Sequence, residues 1–190
     1  LFAPALQYAN FSHNNFTSIN SFKKFKRSHL TLTICDVGHN FIKTSASNVM
    51  KNVPPNIEQF ILSSNLIHGS LLTSSLEVLS NLRRFNMSMN SLSDELPDFS
   101  NSYPNLQVLD LSEQIGEGLV GNIPESLANL PFLSILNLGG NQLSSIIPPV
   151  LGNMGQLRVL NLSNNKLSEA IPKELGKLGE FAHIICAFRR

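Results

Sequence analysis

The chain has 190 residues, of which 42% are hydrophobic and 14% are charged, and its net charge is +1. This composition supports a continuous apolar core, and the near-neutral charge excludes a broad electrostatic attraction to nucleic acid or to an anionic membrane. No stretch approaches the roughly 18 consecutive apolar residues of a transmembrane helix, so we expect no membrane span in this chain. Residues 1–12 also lack the basic-then-apolar order of a signal peptide.

The main feature of the sequence is a repeat of 24 to 27 residues. When the first residue of each copy is numbered zero, apolar residues recur at offsets 0, 3, 5, 10 and 14. Offsets 3 and 5 give the two-residue alternation of a short strand with one buried face. The rest of each copy must return the chain so that the next strand lies alongside, which predicts a solenoid of stacked coils. The copies start at Leu6, Leu32, Ile57, Leu82, Leu106, Leu133 and Leu157, and a partial eighth starts at Phe181.

Offset 8 carries a side-chain amide in each of the first seven copies. An asparagine amide donates two hydrogen bonds and accepts two, so it can pair with backbone groups where the chain turns out of the strand. We therefore predict a structural column of amides that runs across the coils. Proline at offset 15 fixes φ and suits the start of a short helical turn on the opposite side. The predicted column consists of Asn14, Asn40, Asn65, Asn90, Gln114, Asn141 and Asn165.

The later copies carry the motif Leu-x-Gly-x-Ile-Pro. Residues 121–124 (Gly-Asn-Ile-Pro) match its end fully, residues 145–148 and 169–172 lack only the glycine, and residues 94–97 also have leucine for isoleucine. Over residues 6–180 the chain resembles the leucine-rich repeat, and in particular its plant-specific subclass. The resemblance implies an α/β repeat solenoid. Such a solenoid is a right-handed coil with a parallel β-sheet on its concave face and short 3-10 or helical turns on its convex face.

The resemblance also implies a function. In that subclass the repeats form the extracellular, ligand-binding part of receptor-like kinases and receptor-like proteins, and they also form secreted polygalacturonase inhibitors. We therefore expect residues 1–190 to be one leucine-rich-repeat domain that binds a peptide or protein ligand, together with a co-receptor, in signalling or defence. Its expected location is the extracellular face of the plasma membrane or the apoplast. Any serine/threonine kinase activity would reside in a domain outside this chain, so no enzyme activity and no cofactor are expected.

The ends of the chain favour a fragment of a longer protein. Solenoids normally need polar capping units, and neither end has one, nor the paired cysteines that extracellular members of the subclass usually carry there. Two alternatives stay open. As alternatives to the receptor fragment, the chain would be a secreted polygalacturonase-inhibitor-like protein or a truncated, non-functional product.

Two motifs have a plain structural explanation that we favour over a functional one. Residues 22–27 (Phe-Lys-Lys-Phe-Lys-Arg) could form a targeting signal or an anion-binding patch, but they suit a solvated connection with two anchoring phenylalanines. Residues 116–121 match Gly-x-Gly-x-x-Gly, yet no acidic residue follows about 20 positions later, as a dinucleotide site would require. We predict instead that this longer copy bulges from the flank of the solenoid. No catalytic constellation and no metal-spaced histidine pair is present in the sequence.

The two cysteines both occupy apolar strand offsets. Cys35 and Cys186 lie about six coils apart, which is about 29 Å at the usual strand spacing. A disulfide needs Cα atoms within about 7 Å of each other. We therefore predict free thiols in the core.

Four N-glycosylation sequons are present. Three of the four asparagines share offset 4, so glycans there would project from the strand face and obstruct a ligand. The candidates are Asn10, Asn15, Asn86 and Asn161.

The remaining candidate site is the concave face. Because strand residues alternate, offsets 2, 4, 6 and 7 should face outward. A concave array of this kind suits recognition of an extended partner. The predicted strip has Arg84, Met89, Asp110 and Glu113 at its centre, with Gln59, Ile61, Asp36 and His39 beside them.

Overall fold

The computed structural model describes residues 5–19, 31–71, 79–99, 103–179 and 183–185. The strands of these residues, in chain order, are β1 Tyr8–Asn10, β2 Ile34–Asp36, β3 Lys43–Ser45, β4 Gln59–Ile61, β5 Leu66–Ser70, β6 Arg84–Asn86, β7 Ser91–Ser93, β8 Val108–Asp110, β9 Ile135–Asn137, β10 Ser144–Ser145, β11 Val159–Asn161, β12 Lys166–Leu167 and β13 His183–Ile185. Eight of them form one parallel sheet in the order β1-β2-β4-β6-β8-β9-β11-β13.

Each strand of the large sheet begins two residues after the start of its coil. Successive strands pair without any shift, so that Leu109 lies opposite Leu136, and Leu136 lies opposite Leu160. In the large sheet, the middle residue of every strand from β1 to β11 is buried. The predicted solenoid with a parallel sheet is therefore confirmed.

The apolar core runs continuously along the solenoid. From the second coil to the seventh, the residues at offsets 0, 3 and 5 are all buried. The prediction that offsets 10 and 14 also point inward is wrong at Phe16 and Ile171, which are 47% and 52% exposed. Phe16 packs edge-on against Phe11 instead, with ring centroids 6.0 Å apart. The next coil on the far side of Ile171 is described only at residues 183–185.

The offset-8 amides form one column, and each joins two neighbouring coils. In Asn90, Nδ2 donates to the Leu62 carbonyl of the preceding coil at 2.9 Å and to the Met87 and Ser88 carbonyls of its own coil at 3.1 Å. Its Oδ1 accepts the Ile67 N–H of the preceding coil at 3.0 Å. The same arrangement of hydrogen bonds is repeated at Asn40, Asn65, Asn141 and Asn165.

Two members of the column depart from asparagine's pattern. Gln114 makes the equivalent set of bonds through its longer side chain: Nε2 donates to three carbonyls, and Oε1 accepts the Leu92 N–H at 3.0 Å. Asn14, in the first coil, is exposed, and its Nδ2 donates only to carbonyls of its own coil.

A second set of strands, which the sequence analysis did not predict, lies on the flank of the coils. Strands β3, β5 and β7 form one small parallel sheet, and β10 pairs with β12 in another. Their register is shifted by two residues: Lys43 at offset 11 lies opposite Leu66 at offset 9 of the next coil. The fifth coil interrupts the flank. There Ile115 is 62% exposed and Gly116 has a φ of 87°, and a single bridge joins Glu95 to Val120.

Short helices lie on the side opposite the large sheet. These are helix α1, Ala46–Met50, and the 3-10 helices Glu125–Asn129, Pro149–Asn153 and Lys173–Lys177. Three prolines immediately precede the three 3-10 helices: Pro148 and Pro172 at offset 15, and Pro124 at offset 18 of the longer fifth coil. Each 3-10 helix buries one leucine in the core. Within the described ranges, no helix is long and apolar enough to cross a bilayer.

Cys35 is a buried free thiol in β2. Burial, and then the neighbouring Asp36 carboxylate, raise the pKa of Cys35 from its ordinary 9.0 to about 12. Cys186 and the basic residues 22–27 lie outside the described residues.

Replacing Asn90 with leucine should destabilise the chain, because Asn90 is fully buried and accepts the Ile67 N–H. A buried donor left without a partner costs about 1–3 kcal/mol. Urea unfolding followed by circular dichroism measures the loss. Asn14→Leu is the control: this side chain is exposed, so its effect should stay within about 0.5 kcal/mol. Equal losses in the two variants would contradict a ladder between coils.

Gly152→Ala should destabilise the second 3-10 helix by about 1–3 kcal/mol through overpacking. A Cβ at Gly152 would overlap the backbone carbonyl of Glu174 in the next coil. Gly176 is the matched control, because it occupies the same repeat position and a Cβ there meets nothing within 4 Å. Thermal unfolding should show Gly176→Ala to be neutral or stabilising by about 0.4–1 kcal/mol. A loss of stability in Gly176→Ala as large as in Gly152→Ala would refute this packing explanation.

In a Cys186→Ser background, Cys35 should resist a thiol-reactive probe at about pH 8 until the chain unfolds, because only the thiolate reacts. The folded pKa lies above the unfolded value, so the unfolded chain releases this proton first as the pH rises above 9.0. The contribution of Cys35 to stability should therefore decline between pH 9.0 and about 12. Labelling rates across a urea titration, with Cys35→Ala as the unlabelled reference, test this. Labelling that is equally fast without urea would contradict burial of the thiol.

Candidate ligand-binding face

The outward side chains of the large sheet form three rows, because equal offsets of successive coils lie opposite one another. All eight residues of the predicted strip lie in these rows, in the second to fifth coils. Gln59 and Arg84 belong to the offset-2 row; Asp36, Ile61 and Asp110 belong to the offset-4 row; His39, Met89 and Glu113 belong to the offset-7 row. Adjacent positions in a row are about 4.8 Å apart.

The rows differ in how freely their side chains can meet a ligand. Arg84, His39, Met89 and Glu113 are exposed, whereas the other four residues of the strip are half-buried. In the offset-4 row, Asp110 Oδ1 accepts the Ser112 N–H at 3.1 Å and the Ser112 hydroxyl at 2.6 Å. Asp36 Oδ1 likewise accepts the Gly38 N–H at 2.9 Å. These two carboxylates therefore close the ends of their own strands, a role that the sequence analysis missed.

The prediction that offset 6 faces outward is wrong in the second, fourth, fifth and sixth coils, whereas this residue is half-buried in the first, third and seventh. Ser88 and Ser112 are only 7% and 5% exposed, and Gly38 and Gly139 are also buried. The strand has ended by this point, and the serine hydroxyl folds back onto the offset-4 side chain of its own coil. Offset 6 consequently belongs to the structure of the turn and offers little to a ligand.

The offset-7 row has a left-handed backbone that the sequence analysis also missed. In the strip, His39, Met89 and Glu113 have φ values of 53°, 54° and 54°. A non-glycine residue seldom adopts this conformation. Every coil repeats it, so it serves to turn the chain from the strand into the amide ladder. Gly140 and Asn164, which occupy the same offset, were the only signal of it in the sequence.

The His13 and His39 rings stack in this row. Their centroids are 4.2 Å apart and their planes differ by 8°. The stack extends the exposed row into the first coil.

The charged groups of the strip are not neutralised by one another. Within the described residues, no ion pair or side-chain hydrogen bond engages Arg84 or Glu113, whereas the adjacent Arg83 pairs with Glu58 at 3.5 Å. That pair is 56% and 43% exposed at its side chains, so it adds little to stability. Met89, which is 51% exposed, lies in the coil between Ser64 and Glu113, and its sulfur accepts the Ser64 hydroxyl at 3.4 Å. A guanidinium and a thioether of the fourth coil and a carboxylate of the fifth thus remain available.

The sixth coil has two glycines, Gly139 and Gly140, and Gly140 lies beside the Glu113 carboxylate. A Cβ at Gly140 would lie 2.5–2.7 Å from the carboxylate of Glu113, and a Cβ at Gly139 would lie 2.8 Å from Asn161 Nδ2. The side chains of the fifth and seventh coils therefore lie over the two glycines. Any larger residue here would displace the Glu113 carboxylate from its present position.

The structure separates the four sequon asparagines into two kinds. Asn10, Asn86 and Asn161 lie in the offset-4 row of the large sheet, whereas Asn15 lies outside any strand and is exposed. Within the described part of the chain, no three histidine, cysteine or acidic residues cluster as metal ligands would.

Comparison with known proteins identifies the repeat. Leucine-rich repeat family models match residues 118–178 and residues 81–102. A search by sequence among curated proteins gives no match.

Solved structures resemble most of the chain. The Arabidopsis receptor kinase HAESA, in complex with the peptide hormone IDA and the co-receptor SERK1, is 32% identical with a TM-score of 0.76, over 89% of this chain and 27% of that one. A TDR receptor is 28% identical with a TM-score of 0.79, over 96% of this chain and 31% of that one. Pollen Receptor Kinase 3 is 26% identical with a TM-score of 0.69, over 84% of this chain and 77% of that one.

The chain spans less than a third of the length of the HAESA and TDR chains. What it shares with them is the parallel sheet and its repeating coils. The chain therefore belongs to the leucine-rich repeat family, and its repeats are those of a plant receptor-like ectodomain.

Proposed function

We propose that the chain is the ligand-binding part of a plant receptor-like kinase or receptor-like protein and recognises a peptide or protein on its concave face. The observation that carries this proposal is the group of Arg84, Met89 and Glu113. All three side chains are exposed, Arg84 and Met89 belong to the fourth coil and Glu113 to the adjacent fifth, and the two charged ones have no partner among the described residues.

The geometry suits an extended partner that crosses the strands. Rows repeat about every 4.8 Å, which is close to the rise of one to two residues of extended peptide. Arg84 would pair with a carboxylate of the ligand, and Glu113 with a basic group. Met89 would contact an apolar side chain between them, since a thioether adapts to irregular surfaces.

The similar receptors support the wider setting of the proposal. The HAESA structure contains a peptide hormone and a co-receptor. By analogy, this chain would act on the extracellular face of the plasma membrane or in the apoplast, with a co-receptor that joins the bound ligand. Kinase activity, where the parent protein has it, would belong to another domain.

Selection from a display library of random linear peptides tests the proposal on the full chain. Peptides selected for binding to the unmodified chain should bind the double variant Arg84→Ala/Glu113→Ala at least tenfold more weakly than they bind the unmodified chain. The reason is that two charge-assisted contacts are worth about 1.5–3 kcal/mol each. Titration calorimetry with the recovered peptides measures the change in affinity.

The matched control removes two charges from the opposite side of the solenoid. Lys173 and Lys177 are exposed on the last 3-10 helix, so Lys173→Ala/Lys177→Ala should leave peptide affinity within about twofold. Recovery of no peptide, or equal binding by the concave-face variant, would count against the proposal.

A further inference from the structure

Three of the four sequons use their asparagine to end a strand. Asn86 Oδ1 accepts the Ser88 N–H at 2.9 Å and the Ser88 hydroxyl at 2.8 Å. Asn161 makes the same pair of bonds with Ser163 at 3.0 and 2.8 Å. Asn10 makes them with Ser12 at 2.8 and 2.7 Å. In all three sequons, the serine hydroxyl donates to the asparagine's own side chain.

The same turn forms in coils that have no sequon. Asp110 holds the N–H and hydroxyl of Ser112 just as Asn86 holds those of Ser88, and Asp36 holds the Gly38 N–H. An aspartate supplies the acceptor oxygen but has no amide nitrogen. Offset 4 supplies an acceptor in six of the first seven coils, the exception being Ile61 in the third, and Asn-x-Ser arises there as a by-product of the strand-ending turn.

The amide nitrogens of Asn10, Asn137 and Asn161 lie close to other residues of the sheet face. Asn137 Nδ2 donates to the Ser112 hydroxyl of the preceding coil at 3.1 Å, and Asn161 Nδ2 lies 2.8 Å from the Cβ position of Gly139. Asn10 Nδ2 donates to the Tyr8 hydroxyl at 3.2 Å. A bulky oligosaccharide on such a nitrogen would have to fit over a neighbouring strand residue.

Asn15 has none of these constraints. It follows the ladder residue Asn14 and lies outside every strand, and the side chains of Asn15, Phe16 and Thr17 are all exposed. No side-chain hydrogen bond joins Asn15 to another described residue. Its Nδ2 is therefore free to carry a glycan that extends into solvent.

We propose that Asn15 is the N-glycosylation site of the described chain, and that Asn10, Asn86 and Asn161 stay unmodified. In the transfer, Asn15 Nδ2 forms a bond to the anomeric carbon of a lipid-pyrophosphate-linked oligosaccharide. The bond from that carbon to the pyrophosphate oxygen breaks, the lipid pyrophosphate leaves, and Nδ2 loses one proton. The concave face then stays free of glycan. This inference rests on the proposed function in one respect, that the chain enters the secretory pathway.

Site mapping by mass spectrometry tests the inference. The full chain is expressed in plant cells behind a secretion signal, with an added C-terminal sequon tag, and only molecules glycosylated on the tag are mapped. Enzymatic deglycosylation in heavy-oxygen water should introduce the heavy-oxygen label at Asn15. Asn10, Asn86 and Asn161 should remain unlabelled. Asn15→Gln should remove every glycan outside the tag, whereas Asn86→Gln and Asn161→Gln should remove none. An unmarked Asn15, or a mark on any offset-4 asparagine, would overturn the inference.

A second measurement tests the structural role of offset 4 separately. Asn86→Asp should keep the melting temperature of the parent chain, because an aspartate makes the same turn at Asp110, and Asn86→Ala should lower it. Equal melting temperatures for the two variants would remove the structural explanation. Peptide binding distinguishes this inference from the proposed function: a chain marked at Asn15 that selects no peptide refutes the proposed function and leaves the glycan assignment intact.

Discussion

The buried amide that joins two coils is the interaction on which the rest of the structure depends. No coil can bury enough apolar surface to order itself, so stability is a property of neighbours. Each chain turn also leaves backbone groups that would be costly to bury unpaired. The ladder amide resolves both problems together, because its Nδ2 and Oδ1 bind the backbones of its own and the preceding coil. Gln114 makes the equivalent bonds through a longer side chain. What offset 8 must provide is therefore an amide group at this place, and not asparagine as such.

The repeat frame predicted the large sheet because its signal is local and repeated. The alternation at offsets 3 and 5 fixes which side of each strand is buried, and equal spacing fixes an unshifted register, as Leu109, Leu136 and Leu160 illustrate. The amide column followed from the same frame. The flank strands did not, because segments such as Lys43–Ser45 lack apolar alternation and pair with a shift of two residues. Such a register depends on how neighbouring coils meet, which no single repeat encodes.

The candidate site likewise has features that the sequence predicts and features that it does not. The outward orientation of Arg84 follows from strand alternation, whereas Met89 and Glu113 lie beyond the ends of their strands, where alternation no longer applies. The left-handed backbone at Met89 and Glu113 and the burial of Ser112 could not be predicted, since both arise from turn geometry beyond the strand. Offset 4 serves the fold through its acceptor oxygen. The offset-2 and offset-7 positions serve no such purpose, which is why residues as different as Gln59, Arg84 and Val108 occupy one row.

Gly152, which lies against the Glu174 carbonyl of the next coil, has a consequence for the concave sheet on the opposite side of the solenoid. A stack of coils bends according to the difference in thickness between its two sides, and the strand side is fixed by backbone pairing at about 4.8 Å per coil. The helical side is therefore the variable one. At one repeat position it carries Ala128, then Gly152, then Gly176, and only at Gly152 does the next coil's carbonyl occupy the space of a methyl group. One added methyl group on the helical side would therefore alter the curvature of the concave sheet. Residues that never contact a ligand thus help to determine the shape of the ligand that fits.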